Sequence, residues 1–240
     1  MNFTTLYHKI QDNKAYICEP VYSELLAMVN EELAKEAEKA AGRKANIRAA
    51  VKQFLDNPKT MRLPLLHGHR FTYNGKDYIG YLDGYKMAWS SVDFGFGING
   101  ENECKDLMPI QCASIIDYKF KNKVTIPIDG EFRQALALHI KKFKKSEVYT
   151  RTGKLLGQGC FIIKVITENN EQIVYSFNPY FLKPCLDFTD ATEMILDGAT
   201  NHAPVFFFGA DDRNALCLPV REDPDAELEA TVTIDTRKAA

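Results

Sequence analysis

Between Val124 and Val220 the hydrophobic pattern runs strand, helix, three strands, and then helix and three strands again. Val124–Ile128 reads as a strand, Asp129 as an N-cap, and Glu131–Lys145 as a helix with Phe132, Leu136, His139, Ile140 and Phe143 on its apolar face. Three β-rich runs follow, Glu147–Arg151, Cys160–Thr167 and Gln172–Phe177. Asn178-Pro179 then supplies a cap and a proline at the first helical position, opening a short helix to Asp187. Glu193–Leu196, Pro204–Phe208 and Ala215–Val220 complete the set. Such an order predicts an α+β fold of two βαβββ halves, with the helices on one face of antiparallel sheets.

The first half of the chain is read less regularly. Val21–Ala41 carries apolar residues at helical spacing, Gly42 interrupts it, and Arg43–Leu55 forms a second helical pattern ended by Asn57-Pro58. On that second helix Lys44, Arg48 and Lys52 stand at i, i+4 and i+8, one basic stripe. Strand patterns then run to Leu66, over His69–Tyr73, Asp77–Leu82 and Tyr85–Ser90. Asn74-Gly75 is a type I′ hairpin signal, and Asp83-Gly84 a second of the same kind. Phe94–Asn122 has no clear assignment and is the candidate interdomain connection. The expected domains are 1–115 with extra helices, 116–222, and an acidic tail 223–240 in which Ala230–Ile234 can add an edge strand.

Composition narrows the function classes. With 45% apolar and 26% charged residues the chain can bury a core, and no signal-peptide or membrane-spanning run is present, so a cytoplasmic protein is expected. The six cysteines are scattered singly, which predicts free, mostly buried thiols. No P-loop, dinucleotide glycine fingerprint, HExxH or GxSxG occurs, so the expectation is a binding protein rather than an enzyme, without cofactor. His67-Gly68-His69 brings two imidazoles but no further ligand, and no metal is expected. The formal charge of −2 is unevenly spread: Lys119–Lys164 holds eleven Lys/Arg against three Asp/Glu. A basic segment within an acidic protein suits a polyanion such as duplex DNA, or is a solvated lysine-rich helix.

Three motifs occur in an order that resembles the bacterial DNA polymerase III beta subunit, the sliding clamp. They are Leu82-Asp-Gly-Tyr-Lys-Met-Ala88; Val124-Thr-Ile-Pro127 before a helix; and Tyr175-Ser-Phe-Asn-Pro-Tyr-Phe-Leu182, closing on Leu216-Cys-Leu-Pro-Val-Arg221. Leu82 and Tyr85 stand where the family has threonine and histidine. A bacterial clamp protomer has three such domains, and this chain has room for two.

The resemblance implies a processivity or scaffold protein, homo-oligomeric, that binds duplex DNA without sequence preference and docks DNA polymerase or other partner peptides in an apolar cleft. By matching position the cleft is Gly84, Tyr85, Lys86, Met87, Pro127, Leu216, Leu218, Pro219 and Val220. Each apolar member is equally readable as core. DNA contacts would come from Lys44, Arg48, Lys52, Arg133, Lys141, Lys144 and Lys145. The glutamates of the Val21–Ala41 helix do not fit a DNA lining. Two other readings stand beside this one: a clamp-fold peptide-binding module that does not encircle DNA, and an unrelated enzyme with a dispersed site.

Overall fold

The computed structural model describes residues 3–17, 19–55, 67–98, 111–143, 159–167, 169–220 and 229–238. The chain divides into two compact units, Met1–Ala49 and Ala50–Ala240. The boundary expected near residue 115 falls inside the second.

In the first unit, α1 (Phe3–Asp12) turns through Lys14–Tyr16 into α2 (Glu19–Lys52). Ile10, Tyr22 and Val29 are its buried centre, with Phe3, Leu6, Tyr7, Ile17, Leu26 and Leu33 packed around them. Tyr22, Leu26, Val29 and Leu33 follow i, i+4, i+7 and i+11, so one side of α2 meets α1. The helix runs unbroken through Gly42, which corrects the expected interruption. One helical glycine costs about 1 kcal/mol against alanine, too little to end a helix otherwise rich in Ala, Glu, Lys and Arg.

The second unit is built on a seven-stranded antiparallel sheet in the order β1-β2-β3-β9-β8-β7-β4. Its strands are β1 (His69–Tyr73), β2 (Lys76–Leu82), β3 (Lys86–Ser90), β4 (Lys123–Pro127), β7 (Glu193–Asp197), β8 (Val205–Phe208) and β9 (Asn214–Cys217). A smaller sheet in the order β10-β5-β6 joins β5 (Phe161–Ile166), β6 (Gln172–Phe177) and β10 (Val232–Asp235). Because β10 pairs in parallel with β5, part of the expected tail belongs to the folded unit.

Turn chemistry sets the hairpins. Asn74 (φ 49°) and Gly75 (φ 74°) are both left-handed between β1 and β2, as are Asp211 and Asp212 between β8 and β9. The Asp83-Gly84 turn differs from expectation: only Gly84 has positive φ, at 92°. There the Asp83 carboxylate accepts the Tyr85 and Lys86 amides at 3.0 and 3.2 Å, an Asx-type closure.

The two expected helices are α4 (Gly130–Lys142), capped by Asp129 through the Phe132 amide, and α5 (Pro179–Thr189), capped by Asn178 through the Tyr180 amide. They lie beside each other. Tyr180 donates its hydroxyl to the Phe143 carbonyl at 2.8 Å, and Arg133 donates to Ala191 O at 2.8 Å. Phe132 of α4 meets Phe161 of β5 edge-on at 5.5 Å. α5 lies on the large sheet, where the Cys185 thiol faces Leu216 O and buried Arg213 donates to Phe188 O at 2.9 Å.

Strand alternation then divides the large sheet. Met87, Trp89, Phe206 and Leu216 turn to a second cluster with Cys112 and Ile116 of a short α3 (Cys112–Ile116), and Phe71, Tyr118 and Phe120 pack against it. Both faces are therefore covered at the centre, and the stretch left unassigned in sequence supplies one of the covers. Cys112, Cys160, Cys185 and Cys217 are buried thiols in no disulfide, as expected; Cys18 and Cys104 lie outside the described residues.

Candidate functional site

The site grows from the β2–β3 turn. Asp83 holds the backbone, and its other oxygen pairs with the Lys86 ammonium. Lys86 is only 5% exposed, and its Nζ lies 4.8 Å from the Phe181 ring centroid and 5.6 Å from that of Phe54. A carboxylate and two aromatic faces thus compensate an otherwise costly buried charge. With Lys86 turned inward, alternation turns Tyr85 outward, where it is 51% exposed and stacked on Phe181 at 5.2 Å and 16°.

The end of β9 comes to the same place. Leu218 donates its amide to Tyr85 O at 2.8 Å, and its side chain is 38% exposed. Val220 donates to Ser176 O at 2.8 Å and packs beside Cys160, Ile162, Val174 and Tyr180, with half-buried Pro219 between. Tyr85 and Leu218, joined through the backbone, present an exposed apolar seam with Gly84 at its turn, and Pro219 and Val220 carry the chain on to the smaller sheet. Beneath it Cys185 and Cys217 are fully buried, and burial pushes the Cys185 thiol up, keeping it protonated.

Three expected members stand elsewhere. Met87 and Leu216 pair across β3 and β9 and are 1% and 3% exposed, so they are filled core and not groove wall. Pro127 pairs with Glu193 on β4, at the far edge of the sheet. Three strand spacings of roughly 4.8 Å put it about 14 Å from β9, away from the seam. The expectation that Gly84–Met87, Pro127 and Leu216–Val220 meet is therefore corrected: the first and last do, Pro127 does not. In a β-rich chain a proline before a helix marks a strand end but not which neighbour that strand takes.

Asp83, Phe54 and Phe181 were not singled out in sequence. Asp83 was readable as a turn residue, and Phe181 lies three residues after the helix cap, but nothing local indicates that both aromatic rings flank one lysine.

The basic residues divide as well. Lys141 is exposed on α4. Arg133 is half-buried and held by Ala191 O and, at 3.6 Å, by Asp190, so it ties α4 to the end of α5. Lys44 and Arg48 are exposed on α2 in the first unit, and exposed Lys52 ends that helix in the second. Lys144, Lys145 and Arg221 lie outside the described residues, as does the expected strand Glu147–Arg151. On α5 the exposed side chains are Lys183 and Asp187, paired with each other. Among the described residues no cluster of three or more His, Cys, Asp or Glu could hold a metal ion, and no helix is long and apolar enough to cross a membrane.

Mixed layers, continuous antiparallel pairing from β1 to β4 and paired helices define an α+β protein. Its fold is similar to that of bacterial DNA polymerase III beta subunits. The chain from Streptococcus pneumoniae is 12% identical with a TM-score of 0.49, over 75% of this chain and 63% of that one. One from Borrelia burgdorferi, solved with a natural product, is 12% identical with a TM-score of 0.48, over 75% and 62%. A putative beta subunit from Eubacterium rectale is 15% identical with a TM-score of 0.47, over 75% and 63%. This chain spans less than two thirds of each. No protein-family model and no curated protein matches it.

Proposed function

We propose that the chain is a clamp-like scaffold protein that docks a partner's short peptide on the Tyr85–Leu218 seam and meets duplex DNA without sequence preference. The observation that carries this is the convergence of two segments over 130 residues apart in sequence, joined by Leu218 N to Tyr85 O, on two exposed apolar side chains. A backbone fixed on both sides presents Tyr85 and Leu218 with little ordering cost, which is what a peptide hot spot needs. A DNA polymerase peptide with one or two apolar anchors suits the seam. Fluorescence anisotropy with a labelled clamp-binding peptide tests it: Tyr85→Ala with Leu218→Ala is expected to cost on the order of 2 kcal/mol of affinity. Equal affinity of native and double variant would remove the peptide role.

The DNA role rests on exposed Lys/Arg and predicts a salt-dependent affinity with a slope of about −0.9 per phosphate contacted. Lys141→Glu together with Lys144→Glu and Lys145→Glu should weaken binding equally on unrelated duplex sequences. Retention on circular duplex unchanged by that triple variant would leave a peptide-binding module that does not encircle DNA. One observation favours that second reading: α5 is buried on most sides and offers DNA only a lysine already paired with Asp187.

A further inference from the structure

We infer that the α2 helix is a self-association surface, pairing antiparallel with α2 of a second copy of this chain about a two-fold axis between Lys35 and Glu36. Three observations lead to it, none of which involves the peptide seam or DNA.

The helix is under-covered. Its 34 residues extend about 51 Å, whereas the ten of α1 extend about 15 Å. The α1–α2 core ends at Leu33, and within the first unit every described side chain from Lys35 to Ala49 is exposed except half-buried Ile47. Such a stretch needs a partner or many internal pairs to persist in water, and among the described residues these include the pairs of Lys35 with Glu31 and Glu32, at 2.8 Å.

Apolar side chains point away from α1. Val21, Leu25 and Met28 are exposed at i, i+4 and i+7, Met28 by 59%, on a side of α2 about 100° from the Tyr22–Val29 face. The same line continues through Glu32, Lys39, Arg43 and Asn46.

Charge along the helix is segregated. Glu19–Glu38 holds six glutamates and one lysine, and Lys39–Ala49 holds four Lys/Arg and no acid. In that line, where Glu32 is half-buried and shares Lys35 with Glu31 at 2.8 Å, the spacing of Leu25, Met28, Glu32, Lys39, Arg43 and Asn46 reads the same in both directions. Antiparallel pairing therefore sets Glu32 against the second copy's Lys39 twice, and lays the aliphatic stem of Arg43 over Met28 twice. Parallel pairing would instead oppose glutamates to glutamates. A two-fold interface of this kind is self-complementary and closes at a dimer. Acid early and base late also suits the helix dipole, but that effect is confined to the first and last turns and asks nothing of Glu32 or Lys39.

Sedimentation of the full chain at several salt concentrations tests the inference. The expected result is a dimer that weakens as salt rises and is lost in Leu25→Ser/Met28→Ser. Glu32→Lys and Lys39→Glu alone should each weaken association by roughly tenfold, and the two combined should restore it, because the pair is exchanged and not removed. All four positions lie outside the α1–α2 core, and circular dichroism verifies that each variant folds. A monomer at 100-fold above ordinary assay concentration, a dimer indifferent to Leu25→Ser/Met28→Ser, or charge reversals whose effects merely add would each overturn it.

Discussion

Lys86 and Met87 are neighbours in sequence, both buried but on opposite faces of β3, and substitutions at the two probe different interactions. Met87 lies in the sheet core, so Met87→Ala should cost about 2–5 kcal/mol of stability, seen as a lower denaturant midpoint, and cannot serve as a clean test of binding. Lys86→Ala removes the partner of Asp83 and leaves space between Phe54 and Phe181; a loss on the order of 3 kcal/mol is expected. Tyr85→Ala, at the surface, should cost at most about 1 kcal/mol. Asp197 is a fully buried carboxylate that ties the Tyr118–Asn122 segment to the end of β7. Burial raises its pKa, but the Tyr118 hydroxyl at 2.7 Å and the amides of Lys121, Asn122 and Ala199 outweigh that and hold it at about 2, below the ordinary 3.8. A depressed carboxyl stabilises the fold above its ordinary value and loses that contribution as pH falls through the folded one. Asp197→Asn should therefore melt lower than native at neutral pH, with the gap closing between about pH 4 and pH 2. A constant gap across that range would show that the carboxylate's charge is not what counts.

At the scale of elements, α5 is fixed at its C-terminal end by three groups: Asp190 in the left-handed region at φ 53°, Arg213 on Phe188 O and Arg133 on Ala191 O. Gly209 passes so close that a Cβ there would lie 1.9 Å from Thr189 O. Gly209→Ala must push backbone against backbone, and a loss of about 1–3 kcal/mol is expected in chemical unfolding. Elements of this kind were largely legible in sequence. Asp129 and Asn178-Pro179 mark helix starts by local chemistry, and Gln172–Phe177 has the bounds the alternation predicts. Gly42 misled because glycine is a graded penalty and the flanking residues are strong helix formers. α3 was hidden because five residues are too few to show a period. The seam was legible in part: Asp83-Gly84 and Leu216–Val220 announce a turn and a strand, but which strands become neighbours is decided by long-range pairing, and so Pro127 was misplaced.

For the whole molecule, the smaller sheet depends on the segment around Val232–Asp235. β10 flanks β5 on one side and β6 on the other, and Thr231 adds a hydroxyl to the Ile162 amide. Deleting residues 229–238 leaves a two-stranded ribbon with a bare edge, and a lower melting temperature with concentration-dependent aggregation is expected. The junction of β3 with β9 reaches further. Met87 and Leu216 face each other across 129 residues of chain, and none of the described strands between them in sequence takes β9's place beside β3. On a ribosome adding about 5–20 residues per second, β3 therefore waits roughly 6–25 s with its edge open before its partner is made. The β1–β3 meander is the last part of the large sheet to be sealed although it is the first to be synthesised, so a nascent chain carries an adhesive strand, Lys86–Ser90, through most of its own production.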